Sequence, residues 1–186
     1  YTGLSDISFN HVYLTGPPVA VADSLYIGTG SGGGQTIYVS NDDGDTWTKY
    51  GSNIGIGADR YNLMANPEEN GLWAIQSTIN DDGGLWESKD DGKTWFRVDD
   101  GTFPTDAVRI LIDPSNQNSS FAITPGGLFT SIDRGISWRP TSLTEPVHGL
   151  VFVEVGLTDE EDQSDPARIL VAGTDTGVVV SYDESE

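Results

Sequence analysis

The sequence predicts an all-β fold made of four similar units, the last of them incomplete. A motif of the form Ser-x-Asp-x-Gly-x-Thr/Ser-Trp occurs three times and begins a fourth time, with spacings of 48, 43 and 50 residues between the opening serines. Short runs rich in β-branched and aromatic residues come before each copy, which is typical of strands. No segment has the 3.6-residue apolar period of a helix. Repetition at this spacing therefore predicts an architecture of repeated sheets.

The second unit shows the predicted strands best, and we label them a to d. Strand a covers 61–65, strand b 72–77, strand c 84–88 and strand d 94–98. The third unit follows from Val108 to Arg139 in the same order. Four short antiparallel strands within 43 to 50 residues are the signature of a β-propeller blade, in which the strands run from the central axis outward.

The first and fourth units are less regular. In the first, residues 19–29 predict strands a and b, and residues 4–14 are either an extra segment or strand a itself. The fourth has strands a, b and c, and the sequence stops at Glu186 before a strand d. We therefore predict a single propeller segment over 1–186, with blades at about 1–50, 60–98 and 107–140 and a partial blade at about 148–186.

About four blades is the lower end of the usual range of four to eight. An incomplete ring exposes sheet edges and an apolar blade face, which native proteins normally cover. The chain is therefore expected either to be part of a larger propeller or to complete its ring by pairing with another copy.

The repeated motif resembles the Asp-box, or BNR repeat, of one superfamily of propellers. Three copies match at every defined position: Ser40, Asp42, Gly44, Thr46 and Trp47; Ser88, Asp90, Gly92, Thr94 and Trp95; Ser131, Asp133, Gly135, Ser137 and Trp138. A fourth begins with Ser181 and Asp183 but has Ser185 where the motif has Gly. That superfamily includes xyloglucanase-like and sialidase-like secreted propellers. The Asp113-Pro114-x-Asn116 turn and the runs GGLW and GGLF before the boxes, within about 60–140, most resemble the xyloglucanase-like group. This resemblance implies an extracellular or cell-surface location.

The chemistry of the motif favours a structural turn between strands c and d. The Asp carboxylate can accept backbone N–H bonds across the turn, Gly supplies a positive φ, and Trp covers the turn as an apolar lid. A calcium loop of the helix-loop-helix kind requires alternating carboxylates, a distal Glu and flanking helices, which this pattern lacks. The sequence therefore predicts that the motif has a structural role, and it indicates no metal site and no cofactor.

The charge of the chain limits the classes of partner that it is expected to bind. With 29 Asp plus Glu against 9 Lys plus Arg, the formal charge is -20, which opposes binding to nucleic acid or to an anionic membrane. No apolar run approaches the roughly 18 residues of a membrane span. Two interpretations of the acidity stay open: adaptation to high salt, or an ordinary acidic secreted protein.

A site is expected on the face opposite the boxes. Successive strands are antiparallel, so the b–c and d–a connections share the second face, where ligands gather in propellers similar to this one. The b–c loops of the first two blades are longer, which often marks a binding side. Candidates for one rim, with solvated loop residues as the alternative, are Asp59, Arg60, Tyr61, Asp81, Asp82, Asp106, Arg109, Glu145, His148 and Asp175.

Two functions of different class follow. The first is a non-catalytic propeller that binds a glycan or a protein, or builds an assembly. The second is a fragment of a xyloglucanase-like glycoside hydrolase completed outside this chain, because the two catalytic Asp residues of that group come from separate propeller domains. The Arg-Ile-Pro signature of sialidases is missing, and Arg97, Arg134 and Arg139 fall on the box side or on outer strands.

Overall fold

The structure is a computed structural model that describes residues 13–14, 19–21, 23–31, 34–50, 60–65, 71–77, 83–155 and 167–181. Sixteen strands and no helix lie within these residues. This part of the chain accordingly contains no helix that could span a membrane. The predicted all-β fold is confirmed.

The strands form four antiparallel sheets that follow one another along the chain. Sheet 1 contains β1 (Tyr13–Leu14), β2 (Val19–Val21), β3 (Ser24–Ser31), β4 (Gly34–Ser40) and β5 (Thr48–Tyr50). Sheet 2 contains β6 (Arg60–Ala65), β7 (Leu72–Ser77), β8 (Gly84–Ser88) and β9 (Phe96–Arg97). Sheet 3 contains β10 (Arg109–Ile112), β11 (Ser120–Thr124), β12 (Gly127–Ser131) and β13 (Arg139–Pro140). Sheet 4 contains β14 (Val147–Val155), β15 (Ala167–Thr174) and β16 (Gly177–Ser181).

The position of strand a in sheet 1 is shared by two short pieces. β2 pairs with one end of β3, where Val19 is opposite Tyr26, and β1 pairs with the other end, where Tyr13 is opposite Gly30. Both predicted alternatives for strand a therefore contribute to the same sheet edge. Residues 4–12 lie outside the described residues.

The outer strand of sheet 2 is shorter than predicted. Strand d of sheet 2 is limited to Phe96–Arg97 instead of 94–98. Thr94 belongs to the preceding turn, where its N–H and hydroxyl both donate to Asp90. Because the turn already uses the hydrogen-bonding groups of Thr94, pairing between strands c and d begins only at Phe96. Strand a of the same sheet starts one residue earlier than predicted, at Arg60.

The core lies between successive sheets and follows from the two-residue period of strands. Along β7, Leu72 and Ala74 pack toward sheet 1, whereas Trp73 and Ile75 pack toward sheet 3. Along β11, Phe121 and Ile123 likewise face sheet 4. We call the side that faces the next sheet in the chain the forward face and the other side the back face. In sheets 2 and 3, strands b and c are largely buried on both faces, so they read as continuous apolar runs.

Each junction between sheets is one cluster of buried residues. The first is formed by Tyr26, Ile37 and Val39 with Leu63, Leu72, Ala74 and Trp95. The second is formed by Trp73, Ile75 and Leu85 with Phe103, Ala107, Ile110, Ala122 and Trp138. The third is formed by Phe121, Ile123 and Leu128 with Val147, Leu170 and Ala172.

Candidate functional site

The Asp-box of sheet 2 is closed by side-chain hydrogen bonds. Ser88 Oγ accepts the Gly92 N–H at 2.8 Å and donates to Asp90 Oδ1 at 2.9 Å. The Asp90 carboxylate also accepts the N–H of Thr94 at 2.8 Å and its hydroxyl at 2.6 Å. Trp95 Nε1 donates to Gly92 O at 3.0 Å. The side chains at the four defined polar positions thus all have partners inside the turn.

The same pattern recurs in the first and third boxes. Asp42 accepts from Ser40 and Thr46, and Asp133 accepts from Ser131 and Ser137. Each Trp donates its Nε1–H to the carbonyl oxygen of the motif Gly. The distance is 3.1 Å for Trp47 and 2.9 Å for Trp138. In the incomplete fourth copy, Ser181 pairs with Leu170 in the register of the other box serines, and Asp183 lies outside the described residues.

The box turn needs two successive residues with positive φ. Gly92 has a φ of 82° and Gly135 also 82°, while the residue before each, Asp91 or Arg134, has a φ of 61° or 64°. Asp tolerates this left-handed region better than most residues do. Sequence reasoning assigned the positive φ to the glycine alone and missed the preceding position.

The box carboxylates are stabilised in their charged form. In Asp133, burial acts to raise the pKa, but the Ser137 hydroxyl and N–H and the Ser131 hydroxyl outweigh it, and the net pKa is lowered. Asp90 has a lowered pKa for the same balance of causes. In Asp42 the Thr46 hydroxyl contributes most to the lowered pKa, followed by the Thr46 N–H. These carboxylates are engaged as turn acceptors.

The boxes also seal the junctions between sheets. Trp138 packs in the second cluster and meets Phe103 edge to face, with ring centroids 5.3 Å apart. A Cβ built on Gly92 would lie 3.5 Å from Ile37 of the preceding sheet. The Trp is therefore more than a lid over its own turn, because it joins one sheet to the one before it.

At the opposite end of the sheets, one group of polar side chains comes together. His148 Nε2 lies 2.5 Å from Asp175 Oδ1, and both side chains are exposed. The Thr176 hydroxyl lies 2.8 Å from each oxygen of Glu145 and donates to that carboxylate. We call Glu145, His148, Asp175 and Thr176 the sheet 4 cluster. Three of them are predicted candidates, and Thr176 is one that sequence reasoning missed.

A β-bulge presents His148 to this cluster. Val147 pairs with Thr174 and Gly149 pairs with Gly173, so His148 is an extra residue in β14 without a ladder partner. A bulge changes the direction of a side chain and often lies beside functional sites. The bulge is a tertiary feature, and the sequence offers only the neighbouring Gly149 as a signal for it.

The b–c turn of sheet 4 supplies the other half of the cluster. Thr174 Oγ1 donates to Gly177 O at 3.1 Å, just as Thr124 Oγ1 donates to Gly127 O at 3.0 Å in sheet 3. The two turns share this closure but differ in their tips. Sheet 3 carries Pro125 and Gly126, where sheet 4 carries Asp175 and Thr176. The same turn geometry therefore carries residues without polar side chains in sheet 3 and residues with polar side chains in sheet 4.

The structure says less about the positions of the other predicted candidates. Arg60 pairs with Ser77 and Arg109 with Ile123, so both begin their strands at the end of the sheets that carries the b–c turns. Asp106 and Arg109 are exposed and take no part in the hydrogen bonds of the sheet 4 cluster. For Arg60 and Tyr61 the structure describes the backbone only. Asp59, Asp81 and Asp82 lie outside the described residues.

The cluster offers hydrogen-bonding groups at an exposed surface. Two carboxylates accept, the Thr176 hydroxyl donates and accepts, and the imidazole can do either according to its tautomer. Within the described ranges, no group of three or more His, Asp or Glu side chains is arranged to hold a metal ion. The arrangement suits a neutral polar or cationic ligand.

The row of antiparallel sheets has counterparts among solved structures. The chain is similar to the GH74 xyloglucanase from Xanthomonas campestris, with a TM-score of 0.56 and 18% identity over 87% of this chain. It is also similar to YCF48 from Cyanidioschyzon merolae, with a TM-score of 0.58 and 13% identity over 88% of the chain. The fold is that of a β-propeller. We refer to sheets 1 to 4 as blades 1 to 4.

A third propeller neighbour is the NanB sialidase from Streptococcus pneumoniae, with a TM-score of 0.54 and 18% identity over 94% of this chain. The chain spans half or less of these proteins: 29% of the xyloglucanase, 50% of YCF48 and 29% of the sialidase. No family model and no curated protein sequence matches the chain. At these identities the likeness establishes the fold.

Proposed function

We propose that this chain is a non-catalytic propeller module that binds a glycan or a protein at the b–c end of blade 4. The observation that carries the proposal is the sheet 4 cluster, in which a bulge and a turn tip bring Glu145, His148, Asp175 and Thr176 together at the surface. Two carboxylates, an imidazole and a hydroxyl held by hydrogen bonds match the donors and acceptors of sugar hydroxyls or of a polar peptide.

The charge of the module supports the choice of ligand class. A formal charge of -20 repels anionic ligands and attracts or tolerates cationic and neutral ones. Neutral polysaccharides and basic peptides fit this requirement. An extracellular or cell-surface location belongs to the same proposal, because glycan ligands are mostly displayed outside cells.

Blade 4 is also where the module is proposed to meet further structure. The chain, taken as one propeller segment over 1–186, is proposed to complete its ring with additional blades or with a second copy. The two longer propellers of known structure support this, since this chain covers only 29% and 50% of them.

Binding to an array of neutral glycans, followed by titration calorimetry with the best binder, tests the proposal. We expect Glu145→Ala and Asp175→Ala to weaken binding by about tenfold each, the loss of one or two charge-assisted hydrogen bonds. Asp106→Ala is the matched control, because it removes the same charge from an exposed position at the same end of blade 3. Equal weakening by all three variants contradicts a defined site.

The second candidate function is a glycoside hydrolase fragment whose remaining catalytic residues lie outside this chain. The fold likeness to the GH74 xyloglucanase supports this candidate, together with the local resemblance of residues 60–140 to the xyloglucanase-like group. Because such a fragment lacks part of its catalytic residues, the test uses this chain together with the sequence that flanks it in its gene. Release of reducing sugar from xyloglucan supports the enzyme, whereas binding without release supports the non-catalytic module.

A further inference from the structure

The turn between strands a and b of blade 3 contains an acceptor sequence for Asn-linked glycosylation, Asn118-Ser119-Ser120. Asn118 is the only asparagine of the chain that has Ser or Thr two positions later. The turn joins β10 to β11 and lies at the end of the sheets that carries the boxes. Because a match this short also occurs by chance, it needs support from the surroundings of its first and last residues.

Asn118 is exposed, and the turn holds its main chain rather than its side chain. Its N–H donates to Asn116 Oδ1 at 3.2 Å, and its carbonyl oxygen accepts the Arg134 N–H at 3.0 Å. Among the described residues, no hydrogen bond uses the Asn118 side-chain amide. A sugar attached to that nitrogen would therefore displace none of the hydrogen bonds that form the turn.

The Ser120 hydroxyl is fully buried and has no hydrogen-bond partner in the part of the chain that the structure describes. Ser120 pairs with the box serine of its blade, and the other three blades have leucine at this position: Leu25, Leu72 and Leu170. A buried hydroxyl without a partner destabilises a fold relative to an apolar side chain. Packing can explain a small residue here but not a hydroxyl, which the acceptor sequence requires.

Exposed apolar side chains lie close to the same turn. Ile132 and Ile136 of the third box are 61% and 50% exposed. Arg134, between them, donates its N–H to the Asn118 carbonyl oxygen. The other two boxes have polar residues at the positions of these isoleucines: Asn41, Asp45, Lys89 and Lys93. A hydrated sugar on Asn118 would shield an apolar pair that otherwise favours association with other molecules.

We propose that Asn118 is a site of N-glycosylation. In the transfer, the Asn118 side-chain nitrogen bonds to the anomeric carbon of an oligosaccharide carried on a lipid phosphate. The bond between that carbon and the phosphate oxygen breaks, the lipid phosphate leaves with the electron pair, and the nitrogen loses one proton. Ser120 is paired with Ile112 on one side and Ser131 on the other, so transfer precedes formation of this sheet.

Glycosylation rests on the extracellular or cell-surface location in the proposed function, but not on its ligand site. The sheet 4 cluster lies at the b–c end of the sheets, whereas Asn118 lies at the box end. Asn118→Gln is therefore expected to bind neutral glycans as the wild type does. A bare Asn118 in a protein that binds its ligand overturns only the glycosylation site. A glycosylated protein that binds no ligand overturns only the ligand site.

Mass spectrometry of the protein produced in its own cells tests the site. Trypsin releases residues 110–134 as one peptide, which contains the acceptor sequence. We expect this peptide to carry the additional mass of an oligosaccharide, and we expect Asn118→Gln to lose it. An unmodified peptide from the wild-type protein overturns the proposal.

Serine variants separate the acceptor sequence from packing. Ser120→Ala is expected to lose the sugar and to melt no lower than Asn118→Gln, because the hydroxyl that it removes has no partner among the described residues. Ser119→Ala is the matched control, since it changes a neighbouring serine that is only 4% exposed but keeps the acceptor sequence, and it should retain the sugar. A sugar that persists in Ser120→Ala overturns the proposal, because its attachment would then not depend on the acceptor sequence.

Discussion

Gly135 in the third Asp-box lies directly against Leu85 in the preceding blade: a Cβ built on Gly135 would come 2.7 Å from Leu85 Cδ2. Gly135 also has a φ of 82°, a value that residues with a side chain rarely adopt. It therefore serves two purposes, because it allows the turn to reverse and allows one blade to approach the next. The box connects local turn chemistry to the packing of the ring.

Alanine at Gly135 tests this double role. Gly135→Ala imposes the cost of positive φ on alanine, about 1–2 kcal/mol, and adds overpacking against buried Leu85, about 1–3 kcal/mol. Gly101→Ala is the matched control, since Gly101 has a φ of 98° and its Cβ position has no atom within 4 Å. We expect urea unfolding to show a clearly larger loss of stability for Gly135→Ala. Equal losses would mean that the junction tolerates the methyl group.

Removal of a box carboxylate should destabilise the blade. Asp133→Ala leaves the Ser137 N–H and hydroxyl and the Ser131 hydroxyl without their acceptor, and we expect a loss of about 1–3 kcal/mol. Asp45→Ala, the same change at an exposed variable position of the first box, is expected to be nearly neutral. Thermal melting compares the two, and a similar shift in both would argue against the acceptor role.

The contribution of Asp133 should depend on pH. Its folded pKa is lowered below the ordinary 3.8, so its stabilisation is fully present above the unfolded pKa and is lost as the pH falls through the folded pKa. Wild type should therefore exceed Asp133→Asn in stability by a constant amount above about pH 5, and the difference should shrink below about pH 4. The comparison with the isosteric variant cancels the titration of the other carboxylates. A difference independent of pH between 2 and 7 would contradict the hydrogen-bonded carboxylate, in urea titrations at about one-unit intervals.

The acidic surface should make stability depend on salt. With a formal charge of -20, repulsion between carboxylates is relieved by screening, and we expect the melting temperature to rise with KCl. Most of the rise should occur below about 1 M, where the Debye length has already fallen to about 3 Å. Sucrose at equal osmolality is the control for general exclusion effects. A melting temperature that does not change with KCl, or that rises equally in sucrose, would contradict a role for screened carboxylate repulsion.

The two middle strands of blade 2 were predictable to the residue. Strand b lies at Leu72–Ser77 and strand c at Gly84–Ser88, as the sequence predicts. These strands are buried on both faces, so their apolar runs are continuous and sharply bounded by turn residues. The outer strands were less predictable, because the box turn takes up hydrogen bonds that the ladder would otherwise use.

The polar end of blade 4 was predictable only in part. Antiparallel order is enough to assign Glu145, His148 and Asp175 to one end of the sheets. It does not reveal that His148 is the extra residue of a bulge, or that Thr176 holds Glu145. The first depends on the register shift between β14 and β15, and the second depends on how the b–c turn approaches the residues before β14. Both are properties of segments paired in space.

The sequence by itself determined the repeat, the order of the strands and the turn chemistry of the boxes, because each depends on residues within about 50 positions of one another. Only the tertiary structure decided which surfaces are covered. Val178 and Leu85 occupy the same place in their blades, yet one is 71% exposed and the other 0%. The reason is physical: burial depends on the neighbouring blade, and strands of similar composition differ in exposure when only one of them has a blade packed on its forward face.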